Sequence, residues 1–342
     1  MILKTKGWTK LALSLKDKWI WDFWLARDGQ DWHVYFLQAD KAIGDPELRH
    51  FNVTQGHAVS RDLVNWTHLG TCFRPAEGPA WDDYTTWTGS VIRGGDDNWH
   101  LFYTGTSRAD AGMKQRIGHA VSTDMHSWKR MGSEPALDIS GPDYEEYRPG
   151  HWHDRAFRDP WVMPDPDGSG YVMYMTARVP GTAEANAAGS IGFATSPDLY
   201  EWTLQPPVYR GGMFGQMEVP EVFEHHGRWY CLFCTSGHHW SEVYRESYPG
   251  TPVTGTHYMM AESPRGPWTV VPGPFLDGSD PCTRYAGKIL KTDSGLVFMG
   301  WIPHAGGHDF VGALSDPFAV EVGEDGHLFV GAEARALERK SV

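Results

Sequence analysis

The sequence contains few cysteines and no long apolar run. Four cysteines occur among 342 residues. Cys231 and Cys234 have the Cys-x-x-Cys spacing of many metal sites, but they lie in WYCLFCTS, which has the pattern of a strand. Residues i and i+3 of a strand point to opposite faces, so we expect buried free thiols rather than a zinc site. Because no stretch reaches the roughly 18 apolar residues of a membrane helix, the sequence predicts no membrane span.

Positive charge is also scarce. Lys and Arg number 30 against 43 Asp and Glu, which gives a net charge of −13. A chain this acidic repels phosphate backbones, so we expect no nucleic-acid partner. The N-terminal segment is basic, but its apolar stretch at 11–15 is short, is broken by Ser14 and is followed by no small-residue cleavage site. Together with the free thiols, this predicts a cytoplasmic location.

Aromatic residues, glycine and proline are abundant by contrast. The chain has 17 Trp, 14 Tyr and 15 Phe, together with 39 Gly and 23 Pro. This composition is typical of short strands joined by turns. The length exceeds what a single compact core usually reaches, so we expect either two domains or one large repetitive architecture.

A short aromatic strand recurs five times, beginning at residues 32, 99, 171, 229 and 296. Each copy is followed by a turn-like segment, of which HAVSRDLVNW at 57–66 and HAVSTDMHSW at 119–128 are the clearest. Ser and Asp side chains in such segments accept hydrogen bonds from nearby backbone N–H groups and close a turn. We expect the tryptophans of these segments to pack between neighbouring units. They are Trp66, Trp128, Trp202 and Trp268.

Five such units predict an all-β, single-domain, five-bladed β-propeller. We place the propeller domain at 1–320 and assign 321–342 to a closing strand and a C-terminal tail, with no C-terminal β-sandwich. Two long insertions, 134–156 and 237–256, are rich in aromatic and charged residues. We expect them to wall a site at the mouth of the central channel.

Three of the five units carry a carboxylate ten to twelve residues before the aromatic strand. These residues are Asp22, Asp159 and Glu218. In a propeller this position lies on the innermost strand, beside the channel. An isolated acidic residue at a strand end more often caps a turn or pairs with Arg, but the shared register favours one common site. Like charges crowded together raise at least one pKa, and glycoside hydrolysis needs one protonated acid and one ionised carboxylate.

The segments around these residues resemble glycoside hydrolases of the fructan-active families 32 and 68 (clan J) and, more distantly, family 43. The resemblance spans about residues 18–320. FRDPWV carries the Arg-Asp-Pro motif, MEVPEVF resembles the Glu-Cys-Pro motif with Val219 in place of cysteine, and TWTGSV resembles the Ser-Gly-Ser segment. WIWDFW is closer to the Trp-Asp-x-Trp of family 68 than to the nucleophile motif of family 32.

The resemblance implies catalytic roles for the three carboxylates. Asp22 would be the nucleophile, Glu218 the general acid/base, and Asp159 the transition-state stabiliser. Glu221 is the second choice for the acid, but on a strand it would face away from Glu218. The same resemblance places further substrate-binding residues in matching segments. These are Gln38, Ser90 and Arg158.

Other side chains are candidates for substrate contacts from their chemistry alone. We expect Trp21, Trp24 and Trp87 to form a sugar platform, with Trp301 as a further candidate and core packing as the alternative. His239 would line the leaving-group subsite, and Tyr285 would hydrogen-bond to Asp22. The histidine spacings match no standard metal motif, so we expect no metal and no cofactor.

Four functions are compatible with these features. The first is a retaining, exo-acting β-fructofuranosidase that hydrolyses small oligosaccharides delivered by import, because no accessory sandwich is expected. The alternatives are a fructosyltransferase on the same scaffold, a family 43-like arabinofuranosidase, and a non-catalytic sugar-binding propeller. Three intact channel carboxylates argue against the last, since binding alone does not require them. The sequence does not determine an oligomeric state.

Overall fold

The computed structural model describes residues 11–305 and 309–333. It confirms the predicted five-bladed β-propeller, because its strands form five separate antiparallel sheets of four to six strands. The innermost strand of each sheet contacts that of the next, and the last contacts the first, which closes the ring. No helix among the described residues is long and apolar enough to cross a membrane.

The chain enters the last blade first and then builds the others in order. Strand β1 is Leu11–Leu13 and belongs to blade five. Blade one contains β2 to β5, which are Lys18–Asp28, Asp31–Asp40, Thr54–Ser60 and Thr67–Phe73. Blade two contains β6 to β9, which are Thr85–Arg93, Trp99–Thr106, Arg116–Ser122 and Lys129–Arg130.

Blades three and four follow the same plan. Blade three contains β10 to β13, which are Phe157–Pro164, Tyr171–Arg178, Gly189–Ser196 and Thr203–Tyr209. Blade four contains β14 to β18, which are Glu218–His225, Arg228–Thr235, Thr254–Ala261, Thr269–Val270 and Asp277–Ser279. Its connection carries the helix α1, Glu242–Ser247. Short 3-10 turns occupy Lys41–Ile43, Pro46–Phe51, Arg108–Asp110, Ala185–Ala187 and Gly237–His239.

Blade five is completed by segments from both ends of the described chain. It contains β19 to β23, which are Tyr285–Thr292, Gly295–Ala305, Asp309–Ser315, Phe318–Val322 and Leu328–Glu333. Both β21 and β22 pair with β20, while β1 pairs with β21 and β23 pairs with β22. The division expected at residue 320 therefore falls inside a strand of this blade. The rest of the expected C-terminal tail, 334–342, lies outside the described residues.

The repeated turn segments have the structure that their sequence predicts. The Asp62 carboxylate accepts hydrogen bonds from the backbone N–H groups of residues 64 and 65, and Asp124 does the same for 126 and 127. Two of the repeat tryptophans pack edge-on against an aromatic ring of the preceding blade, Trp128 against Tyr35 and Trp202 against Phe102. The segments of blades two and three thus join each of these blades to the one before it.

Candidate active site

The innermost strand of every blade is irregular near its start. The pairing register shifts between Trp21 and Phe23, Trp87 and Gly89, Arg158 and Trp161, Glu218 and Glu221, and Tyr285 and Lys288. Such bulges bend a strand and re-aim a side chain. Three of them hold a non-glycine residue at positive φ: Asp159 at 57°, Val219 at 53° and Ala286 at 48°. Left-handed backbone at a β-branched residue such as Val219 is strained, and strain of this kind is typical of functional sites.

The bulges surround one cavity of about 480 Å³. Seven predicted site residues line it: Trp21, Asp22, Trp87, Arg158, Asp159, Glu218 and Tyr285. Trp301, the further platform candidate, lines it too. Side chains from the inner strands of all five blades therefore meet in the same space. The structure thus brings together the three carboxylates that the repeat register singled out.

Asp22 is held by a residue of the neighbouring blade. The Thr88 hydroxyl donates to Asp22 Oδ2 at 2.9 Å. Burial raises the pKa of Asp22 to about 6, and the nearby carboxylates of Asp159 and Glu218 add to the rise. Asp22 therefore binds a proton more readily than an ordinary aspartate does.

Asp159 lies deep in the cavity and accepts several hydrogen bonds. Its Oδ2 accepts from the Thr176 hydroxyl at 2.8 Å and from the backbone N–H of Val219 at 3.1 Å. Arg158 Nε lies 3.4 Å from the same oxygen. Burial nevertheless raises the pKa of Asp159. These donors fix the orientation of the carboxylate.

Arg158 is the buried cation between Asp159 and Glu218. Its Nη2 donates to Glu218 Oε1 and to Gln216 Oε1, both at 2.7 Å, and its Nη1 donates to Gln115 Oε1 at 3.0 Å. With Asp159 beside Nε, every nitrogen of the guanidinium has an acceptor. Burial alone would lower the pKa of Arg158, but the surrounding carboxylates outweigh it, so Arg158 stays charged.

Glu218 bridges Arg158 and Tyr285. The Tyr285 hydroxyl donates to Glu218 Oε2, and not to Asp22 as the sequence analysis expects. Burial by itself raises the pKa of Glu218, but Arg158 and Tyr285 outweigh this effect, and the pKa lies below its usual value. The proposed roles require an ionised nucleophile and a protonated acid. The pKa values have the opposite order, because the pKa of Asp22 is raised and that of Glu218 is lowered.

Three predicted binding residues are buried away from the cavity. Trp24 is fully buried and stacks on Tyr35, with ring centroids 6.0 Å apart. Gln38 donates to the hydroxyls of Thr54 and Thr71 inside blade one. The Ser90 hydroxyl accepts from the backbone N–H of residue 162 at 3.1 Å. Contrary to the expectation, Trp24, Gln38 and Ser90 therefore lie outside the cavity lining, because their side chains are packed inside the sheets.

His239 also lies outside the cavity lining. It is half-buried behind the wall, with its ring centroid 5.3 Å from Trp152 and 6.3 Å from His153. No residue of 237–256 lines the cavity, and of 134–156 only His153 and Asp154 do. The remaining loop walls come from three connections that the sequence does not single out. They contribute Arg49, His50, Phe51, Ala111, Gly112, Met113, Gln115 and Gln216.

Glu221 faces away from the cavity. It is buried, accepts from the backbone N–H of Ile289 at 2.9 Å and lies 3.6 Å from Lys288 Nζ. Two other residues could have been found from the sequence. Gln216 stands two positions before Glu218, and Thr88 directly precedes Gly89, which aligns with the carboxylates of the other blades. Gln115 lies in a loop without a recognisable signal.

A metal centre has no support in the described part of the chain, where no three His, Cys, Asp or Glu side chains are grouped to hold an ion. The four cysteines are free.

A five-bladed propeller with three carboxylates and a buried arginine in one cavity defines a propeller-type glycoside hydrolase. Comparison with protein families matches residues 25–308 to the N-terminal domain of glycosyl hydrolases family 32. The chain therefore belongs to this family.

Comparisons with individual proteins agree with this assignment. The extracellular sucrase of Zymomonas mobilis is 27% identical to this chain, over 94% of it and 83% of the relative. An inulosucrase from Halalkalicoccus jeotgali, solved with kestose, shares the fold with a TM-score of 0.75 and 21% identity, over 96% of this chain and 91% of the other. The catalytic domain of Microbacterium saccharophilum β-fructofuranosidase matches with a TM-score of 0.71 at 17% identity, over 93% of this chain and 83% of the other.

The sucrase comparison overturns the predicted location. The relative that matches 94% of this chain is an extracellular enzyme, which contradicts the cytoplasmic expectation. Delivery of the substrate by import, which depends on a cytoplasmic location, is therefore no longer expected.

Proposed function

We propose that the protein is a retaining, exo-acting β-fructofuranosidase that releases terminal fructose from sucrose and short fructans. The observation that carries this proposal is the convergence of Asp22, Asp159 and Glu218 in one cavity, where Arg158 pairs with Asp159 and Glu218. Family membership and the similarity to a sucrase support fructose as the reacting sugar. A cavity of about 480 Å³ has room for a small oligosaccharide rather than a polymer.

The first half of the reaction forms a covalent intermediate. Asp22 attacks the anomeric carbon of the fructosyl unit as the bond to the leaving oxygen breaks. Glu218 gives its proton to that oxygen, so the leaving sugar departs as a neutral alcohol. In the second half, Glu218 takes a proton from water, the water oxygen bonds to the anomeric carbon, and the bond to Asp22 breaks. Two inversions give net retention.

Asp159 and Arg158 stabilise the charge that develops on the ring. Asp159 is fixed by Thr176 and the backbone of Val219, so its free oxygen is oriented for a sugar hydroxyl. Hydrogen bonds of this kind strengthen as oxocarbenium character develops. The positive charge of Arg158 offsets the repulsion between the carboxylates of Asp159 and Glu218, so both can lie close together in the cavity.

Sucrose hydrolysis by Asp22→Asn and Glu218→Gln variants tests the proposal. Each substitution should lower kcat at least about a thousandfold, because it removes a nucleophile or a proton donor while keeping the shape. Asp97→Asn is the matched control, since Asp97 is a solvent-exposed carboxylate of blade two. Full activity in either site variant would reject the role of that residue. Equal release of glucose and fructose by the wild type identifies hydrolysis, whereas a fructose deficit identifies transfer.

A further inference from the structure

A buried threonine beside the site has no part in the mechanism above. Thr104 lies on β7 of blade two, is fully buried and does not line the cavity. Its hydroxyl donates to the backbone carbonyl of Thr88 at 3.0 Å and accepts from the backbone N–H of Asp159 at 2.9 Å. Because the single hydrogen of the hydroxyl goes to Thr88, the oxygen can only accept from Asp159. Thr104 therefore joins the inner strand of blade two to that of blade three.

The bond from Asp159 fixes an unfavourable backbone conformation. Asp159 has a φ of 57°, in the left-handed region that costs energy for any residue with a side chain. Such a conformation persists only where its surroundings fix it. Thr104 holds the backbone of Asp159, while the Thr176 hydroxyl and the backbone N–H of Val219 hold its carboxylate. The residue is thus anchored at both ends.

The same arrangement recurs at the other left-handed bulges of the inner strands. The Thr176 hydroxyl accepts from the backbone N–H of Val219 at 3.2 Å. The Thr256 hydroxyl accepts from Gly287, which directly follows the left-handed Ala286, at 3.0 Å. In all three cases the hydroxyl belongs to the preceding blade. A threonine that accepts a backbone N–H across the blade boundary is therefore a repeated device of this fold.

The two remaining bulges lack both the hydroxyl and the left-handed backbone. In blades two and three the accepting threonine is the sixth residue of the aromatic strand, and in blades five and one this residue is Trp301 and Leu37. Neither side chain can accept a hydrogen bond. Among the described residues of the bulges that follow, 21–23 and 87–89, none has a positive φ. Left-handed backbone thus occurs at the bulges that a threonine of the preceding blade holds.

We propose that Thr104 is a positioning residue for Asp159, because its hydroxyl holds the left-handed backbone that aims the Asp159 carboxylate at the sugar. This inference rests on the proposed function, in which Asp159 stabilises the transition state. Hydrogen bonds from sugar hydroxyls to Asp159 strengthen as oxocarbenium character develops, so a misplaced carboxylate weakens transition-state binding more than substrate binding. A displacement of about 1 Å can lower a rate about a hundredfold.

Sucrose hydrolysis by Thr104→Val and Thr104→Ser tests the positioning role. Valine has the shape of threonine but no acceptor, so we expect kcat to fall about 10- to 100-fold while KM changes less than about threefold. Thr104→Ser keeps the hydroxyl and should keep kcat within about twofold of the wild type. Thr104→Cys introduces the residue that Cys234 supplies at the same position of blade four. Because a thiol is a weaker acceptor, its kcat should lie between the other two.

Thr106→Val is the matched control. Thr106 lies two residues further along β7, is also fully buried, and has its hydroxyl 2.6 Å from that of Thr85. The control therefore loses a buried hydrogen bond as well, but one that does not reach Asp159. We expect a lowered melting temperature in both valine variants and a kcat within about twofold of the wild type in the control alone.

The outcomes separate the positioning role from the proposed function. Wild-type kcat in folded Thr104→Val overturns the positioning role alone, as does an equal fall of kcat in the control or a rise in KM with kcat unchanged. If Thr104→Val does not fold, a Thr104→Cys enzyme as active as Thr104→Ser overturns the role instead. Wild-type protein that releases no fructose from sucrose overturns the proposed function and the positioning role with it.

Discussion

The Thr88 hydroxyl donates a 2.9 Å hydrogen bond to Asp22 Oδ2. The donor belongs to blade two and the acceptor to blade one, so the packing of the two blades sets the geometry of the proposed nucleophile. The bond also opposes the rise in the pKa of Asp22 that burial causes. A contact between blades thus controls the charge state of the reacting carboxylate.

The pH profile of kcat/KM should be bell-shaped with a maximum below pH 6. The active form carries one proton on the Asp22–Glu218 pair. In the free enzyme the pKa of Asp22 is about 6 and that of Glu218 is lowered, so the pair loses its last proton near pH 6 and gains a second one only at lower pH. We expect kcat/KM to fall about tenfold per pH unit well above pH 6. An activity plateau extending to pH 8 would contradict this charge assignment.

Thr88→Val should move the basic limb of that profile to higher pH. Losing the hydroxyl destabilises ionised Asp22 and raises its pKa further, so the proton is retained to a higher pH. The maximum of kcat/KM should fall about tenfold, because the proton resides on Glu218 in a smaller fraction of molecules. Thr88→Ser, which keeps the hydroxyl, is the control. Movement of the acidic limb instead would assign the lower pKa to Asp22.

Tyr285→Phe should move the opposite limb. The phenol stabilises ionised Glu218, so its removal raises the pKa of Glu218 and shifts the acidic limb of kcat/KM to higher pH. The basic limb, which belongs to Asp22, should stay near pH 6. Profiles of Tyr285→Phe and Thr88→Val measured side by side check this, and a shift of the same limb in both variants would contradict it.

Lys288→Met should destabilise the fold. Lys288 and Glu221 are both almost fully buried and 3.6 Å apart, so removing the lysine leaves a carboxylate buried without its partner. We expect a loss of about 3–5 kcal/mol in the free energy of unfolding, measured by urea denaturation. The double variant Glu221→Gln, Lys288→Met should recover most of this loss. A double variant as unstable as the single one would show that packing, not charge, is responsible.

Local sequence patterns determine the turns and the blade plan. Asp62 and Asp124 occupy the same place in two copies of one segment, and each closes its turn through contacts within three residues. The carboxylates Asp22, Asp159 and Glu218 could be found in the same way, because a repeat places equivalent residues on equivalent strands. The order of the repeats along the chain was therefore enough to predict both the fold and its catalytic candidates.

The environment of each candidate depends on residues far apart in the sequence. Whether Trp24 faces the cavity or the core depends on the bulge between Trp21 and Phe23, which no local pattern indicates. The partner of Tyr285 is Glu218, 67 residues away, and Arg158 reaches Glu218 across 60 residues.

The sequence by itself therefore determined the number of blades, their turns and the three carboxylates, because these follow from short-range contacts repeated in register. Only the tertiary structure decided which carboxylate retains a proton and which loops wall the cavity. Both depend on burial and on charges that meet only when the ring of blades closes.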